Sequence, residues 1–375
     1  MTSLPIPTPP PGRFNLDWDR LSETWTWLRD LAGCPQDPQF HGEGDVWVHT
    51  RMVCEQLTDI NPWRMLPPDE RGLVLAAALF HDIAKPACTR CDDDGRIRSP
   101  GHSRRGSLMA REELYRMGVP FALRESIASL VRHHQYPFYL LERPDARRAA
   151  YGVSQTTRCD HLAILAEADM RGRICEDQAK VLDAVTLFRD YCEEEGCLTT
   201  PRAFANDVSR FEYFQREDRD PDYAAWDASE FEVVLMSGLP GTGKDHWIRE
   251  NRPEWPVISL DDIRDEIDAP PTGEQGPVVA LAKERARELL RARRGFVWNA
   301  TNLTRQRRSE LVALFTNYRA RVRVVYVEAP WEVLKAQNRE RARKVPVKAI
   351  EQMLTRWEVP DATEAPVVEW AVRDR

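Results

Sequence analysis

Residues 238–245 read Gly-Leu-Pro-Gly-Thr-Gly-Lys-Asp and follow the apolar run Phe231-Glu-Val-Val-Leu-Met236. A buried strand feeding such a loop turns backbone N–H groups inward around a polyphosphate, and the lysine reaches the terminal phosphates. Gly238, Gly241, Thr242, Gly243 and Lys244 are therefore candidate nucleotide-binding residues. The Ser or Thr that usually follows the lysine and holds Mg²⁺ is Asp245 here, a carboxylate able to ligate Mg²⁺ directly or through water. A second constellation lies upstream: His49, the doublet His81-Asp82, His102, the doublet His133-His134, and Asp169. Neutral imidazoles and carboxylates are the donor set of borderline divalent metals. A lone His-Asp pair is more often a hydrogen-bonded core histidine. Here five of the chain's eight histidines fall in one ordered series.

Three segments downstream of the glycine loop carry further chemistry. Ser259-Leu-Asp261-Asp262-Ile-Arg264 closes a short apolar run, and strand C-termini in open α/β sheets face the ligand crevice. Asp261 there can accept the proton of an attacking hydroxyl, and Arg264, three residues on, shares its helix face and can grip a phosphate. The bland alternative is an N-cap aspartate with a solvated neighbour. Asn299-Ala-Thr301-Asn302 ends the next strand, where Thr301 and Asn302 suit contacts to an acceptor. Gln337-Asn-Arg339-Glu-Arg341-Ala-Arg343-Lys344 predicts a basic helix in the position of a lid, where arginine can meet charge that builds on a transferring phosphate.

These residues need two kinds of scaffold. Residues 16–215 show helical spacing throughout, over Asp17–Leu31, Val46–Leu57, Leu73–Ile83, His102–Arg116, Phe121–His133, Asp160–Met170 and Ala179–Cys192. The charged stretch 216–228, with Pro221, predicts a linker. Residues 229–375 alternate, with strands at 231–237, 256–260, 295–299 and 322–327 and helices between and after them, including 331–343 and 347–357. That alternation predicts a parallel sheet covered by helices. The fold class expected is thus an all-α domain followed by an α/β P-loop domain, with residues 1–15 as a disordered lead.

Composition sets the bounds. At 375 residues, 42% hydrophobic and 30% charged, the chain suits two globular domains. No apolar run approaches the ~20 residues of a membrane span, and Met1-Thr-Ser-Leu-Pro-Ile lacks the basic start of a signal peptide. Eight scattered cysteines with a single CxxC (Cys88, Cys91) fit reduced thiols in a cytoplasmic protein better than a zinc knuckle. The net charge of −7 argues against a general DNA coat. Residues 226–375 hold 25 Lys+Arg against 24 Asp+Glu, leaving 28 against 36 in residues 1–225. Most single arginines are solvated helix faces; the clusters after residue 290 can meet phosphates.

GLPGTGKD, SLDDIR, NATNL and a basic lid before Val345-Pro346 resemble the polynucleotide 5′-kinase family, with Ala300 where the family has an aspartate. The resemblance implies Lys244 on the phosphates, Asp261 as base for a 5′-hydroxyl, Arg264 on the acceptor phosphate, and a lid arginine (Arg339, Arg341 or Arg343) on the donor. Arg341 takes the catalytic assignment. The histidine series resembles the HD-domain phosphohydrolase superfamily. Gly101-His102, Arg132-His133-His134 and Ala168-Asp169 are also similar to the HD domains of transfer-RNA-processing nucleotidyltransferases. By that resemblance His49, His81, Asp82 and Asp169 hold one divalent metal (Mn²⁺, Co²⁺, Ni²⁺ or Zn²⁺), His102 and His133 a second with His134 as fallback, and Lys85 touches the scissile phosphate.

Together the halves resemble the bacterial HD-domain polynucleotide kinase family, in which one protein heals both ends of a broken strand. This implies hydrolysis of 2′,3′-cyclic and 2′- or 3′-phosphate ends. It also implies Mg²⁺-dependent transfer of phosphate from ATP or another NTP to 5′-OH ends of RNA or DNA, before a ligase acts. Two other classes fit the same motifs: a small-molecule or nucleotide kinase fused to a nucleotide phosphohydrolase, and a nucleotide-sensing regulatory protein. Neither RNA-versus-DNA preference nor oligomeric state is written in these residues.

Overall fold

The computed structural model describes residue 4 and residues 8–10, 12–270, 273–341 and 343–373. Of the lead expected over residues 1–15, residues 1–3, 5–7 and 11 lie outside the described set. The described part of the lead has no helix or strand, yet Pro9 is buried and the Phe14 ring meets Trp63 edge-on at 5.9 Å. The chain divides into two compact units, 1–202 and 203–375. Among the described residues no helix is long and apolar enough to cross a membrane.

The first unit is helical, as its 3.6-residue periodicity requires. Its main helices are α1 (Val46–Asp59), α2 (Pro68–Phe80), α3 (His102–Arg116), α4 (Phe121–His133), α5 (Cys159–Arg171) and α6 (Gln178–Glu194). Leu57, Trp63, Phe80, Leu114, Ile127, Leu130, Leu165 and Phe188 form its buried interior. Asp45 caps α1 by accepting from the Val48 N–H (2.9 Å) and also holds the Gly33 N–H (2.8 Å), fixing the entry to the helix that carries His49. At the other end of the cluster, Gly172 follows α5 so closely that an added Cβ would sit 2.8 Å from the Val53 backbone nitrogen of α1. This close approach sets Asp169 beside His49.

Two expected boundaries in this unit move. The helix predicted over 17–31 breaks at Trp25 into an α-helix (Trp18–Thr24) and a 3₁₀ segment (Thr26–Leu31). The helix predicted over 73–83 starts earlier, at Pro68, and stops at Phe80, so His81 and Asp82 lie in the turn beyond it. Pro86 contributes: it lacks the N–H that a continuing helix needs.

The second unit opens with α7 (Asp207–Gln215), which the sequence reading had placed in the first half. Phe211 packs into the core of the α/β unit, and the Arg210 Nε donates to the Ala362 carbonyl at 2.9 Å. Five parallel strands follow: β1 (Phe231–Ser237), β2 (Val257–Ser259), β3 (Phe296–Asn299), β4 (Ala320–Glu328) and β5 (Val367–Val372), ordered β2-β3-β1-β4-β5. The β-branched runs of β1 and β4 pair Val233 with Val322 and Leu235 with Val324, both faces covered. β5, which the sequence reading did not foresee, adds an edge strand against β4. Between the strands lie α8 (Lys244–Asn251), α9 (Leu260–Glu266), α10 (Gly276–Arg291), α11 (Arg305–Thr316), α12 (Trp331–Glu340) and α13 (Val347–Leu354). The lid helix thus ends at Glu340, three residues short of its predicted end, leaving Arg341 and Arg343 in the connection to α13.

Candidate functional sites

In the helical unit, five helices or their ends converge. His49 from α1, His81 and Asp82 from the turn after α2, His102 at the start of α3, His134 at the end of α4 and Asp169 from α5 are all buried. The His49 Nε2 lies 3.3 Å from the His81 Nε2 and 3.2 Å from the Asp169 Oδ1. The His81 Nε2 lies 3.1 Å from the Asp82 Oδ2. A second group joins at Asp82: the His102 Nε2 is 3.5 Å from its Oδ1 and 3.3 Å from the His134 Nε2. Adjacent residues in a helix would diverge by about 100°; His81 and Asp82 converge because the helix has ended.

The far side of each ring is fixed. Nδ1 of His81, His102 and His134 lies 2.7, 2.8 and 2.8 Å from the carbonyls of Ala78, Ser99 and Val131. Donation there leaves each Nε2 as the inward lone pair, the arrangement that orients metal-ligating histidines. The His49 Nδ1 instead meets the Glu43 Oε1 at 2.9 Å, and Glu43 is held by His41 (2.7 Å) and the Ile174 N–H (2.8 Å). Sequence reasoning missed Glu43 and His41. Their one signal was a His-x-Glu just upstream of a capped helix.

Charge is arranged for metal binding. Burial would raise the Asp82 carboxyl, but His81, Lys85 and His102 hold it well below the usual carboxylate range. Burial likewise opposes ionisation of Asp169, and Arg173 (2.9 Å) with His49 outweighs it. Burial holds the His102 imidazole below its usual value and pushes His134 down to about 3, so both stay neutral, as ligands must. Neither buried Asp82 oxygen has a hydrogen bond of good geometry, although the Lys85 Nζ stands 2.7 Å from Oδ2. An under-satisfied carboxylate facing inward imidazole lone pairs is the donor set of one or two divalent ions.

One expected ligand moves. His133 is half-exposed with its ring 4.7 Å from Tyr136, and His134 takes the inward position. One residue of helical rotation decides which imidazole faces the cluster, and α4's packing selects the second. Lys85 is buried, with its ammonium between Asp82 and the Gln36 Oε1 (2.7 Å).

In the α/β unit the glycine loop leaves β1 beside β3 and β4. Gly238, Gly241 and Gly243 have φ of 138°, 81° and 100°, a region that side chains disfavour. A Cβ on Gly241 would lie 3.2 Å from the Leu334 carbonyl of α12. The Thr242 Oγ1 donates to the Leu239 carbonyl (2.9 Å), closing the loop on itself. The Lys244 Nζ donates to the Gly238 and Leu239 carbonyls at 3.0 and 2.8 Å. Desolvation pulls its ammonium down to about 8, Asp245 and Asp261 oppose this, and Arg341 adds to it.

The loop borders a cavity of about 890 Å³ lined by Gly241, Gly243, Lys244, Asp245, Asp261, Arg264, Asn299, Thr301, Arg341 and Arg343. Its basic side chains outnumber its carboxylates seven to three, the balance of a polyanion site. Arg249 and Arg373 belong to this wall and were not foreseen. Ser259, not an aspartate, caps α9, its Oγ accepting from the Asp262 N–H at 3.2 Å. Asp261 is therefore not spent as a cap, and it pairs with Arg264, whose Nε reaches the Gln275 Oε1 at 2.8 Å. Asp245 accepts from the Asn299 amide at 2.7 Å.

The structure separates the lid arginines. Arg341 lines the cavity and its charge acts on Lys244. Arg343 also lines it, but forms ion pairs with Asp262 (2.7 Å) and Asp265. Arg339 is exposed and does not line the cavity. Of the expected acceptor residues, Thr301 lines the cavity. Asn302 is buried with φ of 42°, its amide donating to the Met236 carbonyl at 2.7 Å. It braces the end of β1 rather than facing the cavity.

Two family models match the chain, one within each unit. Residues 45–169 match the HD domain family model, and residues 233–360 match that of an AAA domain. A multifunctional CCA protein from Ralstonia nicotianae is 33% identical over 171 residues, covering 43% of this chain and 36% of that protein. Its counterpart from Xylella fastidiosa strain 9a5c is 31% identical over 163 residues, covering 40% and 35%. The chain thus spans about a third of the length of these curated relatives. A solved sugar kinase from Janibacter sp. HTCC2649 aligns at 18% identity with a TM-score of 0.30, over 38% of this chain and 85% of its own, too remote to bear on substrate. The chain joins a helical unit that matches an HD domain to an α/β unit, with a phosphate-loop sequence and a parallel sheet, that matches an AAA domain.

Proposed function

We propose that this chain is a two-site enzyme that heals nucleic-acid ends. The helical unit hydrolyses 2′,3′-cyclic phosphate and 2′- or 3′-phosphate ends, and the α/β unit phosphorylates 5′-OH ends from ATP or another NTP. The observation that carries the reading is the basic 890 Å³ cavity holding the phosphate loop and an uncapped Asp261 together. It is roomy enough for a donor nucleotide and a strand terminus.

In this reading the loop's backbone N–H groups and Lys244 hold the β- and γ-phosphates. Asp261, oriented by Arg264, takes the proton of the 5′-hydroxyl. Arg341 meets charge on the transferring group, so catalysis is positioning plus neutralisation. In the helical unit, a divalent ion held by His49, His81, Asp82 and Asp169, with His102 and His134 for a second, would supply Lewis-acid chemistry at the phosphoester. Glu43 fixes the His49 ring, and Lys85 stands ready to leave Asp82 for an entering phosphate. The relatives named multifunctional CCA proteins favour a nucleic-acid substrate for this half.

The test is one broken strand bearing a 2′,3′-cyclic phosphate and a 5′-OH, given Mg²⁺, Mn²⁺ and ATP. Both ends should convert. Phosphorylation of free nucleosides with the strand untouched would overturn the kinase assignment. A cyclic end surviving every divalent metal would overturn the phosphoesterase assignment.

A further inference from the structure

Three thiols meet in the helical unit, none of them a member of the histidine cluster. Cys159 is the first residue of α5, Cys192 lies in the last turn of α6, and Cys197 follows it in the turn beyond Gly196. Each is 0% exposed, all three are free, and their sulphurs lie within 4.8 Å of one another. The backbone holds them there. The Cys197 N–H donates to the Cys192 carbonyl at 2.8 Å, and the Asp160 N–H donates to the Leu198 carbonyl at 3.0 Å. Farther along the strap, the Gln155 Nε2 donates to the Arg202 carbonyl (2.9 Å) and the Arg202 N–H to the Ser154 Oγ (3.1 Å).

Buried cysteines often serve as small hydrophobes. Cys54 does so here, buried with its thiol pushed up by desolvation. The trio differs in its convergence and its charge. Cys159 sits at a helix N-terminus, but its hydrogen bonds with Cys192 and Cys197, together with burial, push its thiol up. Hydrogen bonds from Cys159 and Cys192 pull the Cys197 thiol down, with a smaller push from the Arg202 charge, against burial and Glu195, while Cys192 is pushed up. Sulphurs about 2.3 Å from one ion lie roughly 4 Å apart, so closing on a metal asks for shifts of about 1 Å or less.

We propose that Cys159, Cys192 and Cys197 form a closed three-thiolate site for one soft, thiophilic cation, which fastens the start of α5 to the end of α6. Binding replaces three S–H protons, released to solvent, with three metal–sulphur bonds. The site is structural: full burial leaves no open face for substrate. It braces α5, the helix whose other end presents Asp169.

The probe is cadmium, titrated into the reduced full-length chain carrying His81→Ala and Asp82→Ala, which removes the histidine cluster as a competitor. The expected result is a near-ultraviolet thiolate charge-transfer band saturating at one equivalent, with proton release. It should persist when Cys88→Ser and Cys91→Ser are added and vanish with Cys197→Ser. Absence of the band, saturation away from one equivalent, or survival in Cys197→Ser would overturn the proposal. Because serine in the core can impair folding, a second measurement uses the unaltered chain. Denatured without reductant it should show eight reactive thiols, and cadmium should raise its Tm. Six thiols would mean a disulfide, and an unchanged Tm would mean no bound ion; either sinks the site.

Discussion

The two sites are built by opposite strategies. In the α/β unit the anion cradle is almost continuous in sequence: residues 238–245 supply it, their backbone doing most of the binding, and strand ends bring Asp261 and Thr301 to the same cavity. In the helical unit no two-residue stretch suffices. His49, His81, Asp82, His102, His134 and Asp169 come from five helices or their ends and meet only because those helices pack. The first site is open and basic; the second is buried, and burial keeps His102 and His134 neutral. A backbone nest tolerates change around it, whereas a side-chain cage transmits every packing error to its ligands.

The sharpest way to break this contrast is to disable one site and assay both. Lys244→Ala or Asp261→Ala should lower kinase rate by on the order of 10²–10⁴-fold and leave phosphoester hydrolysis intact; His81→Ala or Asp82→Ala should do the reverse. Full kinase rate in Asp261→Ala would remove the base assigned here. Next in size is the histidine choice. His134→Ala should weaken metal binding and hydrolysis by about 10–100-fold, with His133→Ala near the parent, measured as metal content and rate. Reversed ranks would show that α4 is set differently in solution.

Glu43→Gln probes the brace behind His49 and should cost about tenfold in metal affinity, read by competition with a chelating dye; Glu43→Asp should recover part of it. Among the lid arginines, Arg341→Gln should lower kcat more than Arg343→Gln, and Arg339→Gln least. Equal losses would mean that the connection after α12 rearranges when nucleotide binds. The smallest effect is protonic. Triphosphate charge favours the Lys244 ammonium, so its pKa must rise on binding from about 8. Nucleotide binding above pH 8 should therefore take up a proton, visible by calorimetry in buffers of different ionisation heat, and the uptake should vanish in Lys244→Ala.

Local sequence settled what depends on local chemistry. The glycine spacing 238-241-243, the apolar β1 run and the strand-end Asp261 are legible because turn geometry and strand burial are set within a few residues. The helix periodicities and the order of the histidine series were equally readable. Packing decided the rest. Whether His133 or His134 faces inward differs by one residue of rotation, which periodicity cannot resolve. Asn302 looked available because its amide is polar, but tertiary structure spends that amide on the Met236 carbonyl. β5 and the thiol trio have no local signature, since β5 gains meaning only from its pairing with β4 and Cys159 lies 33 residues from Cys192; Glu43, six residues before His49, left only a His-x-Glu. The sequence determined which residue types this chain can bring to each site; the fold decided which copies of each meet there, because side-chain direction is fixed by helix rotation and contact rather than by residue type.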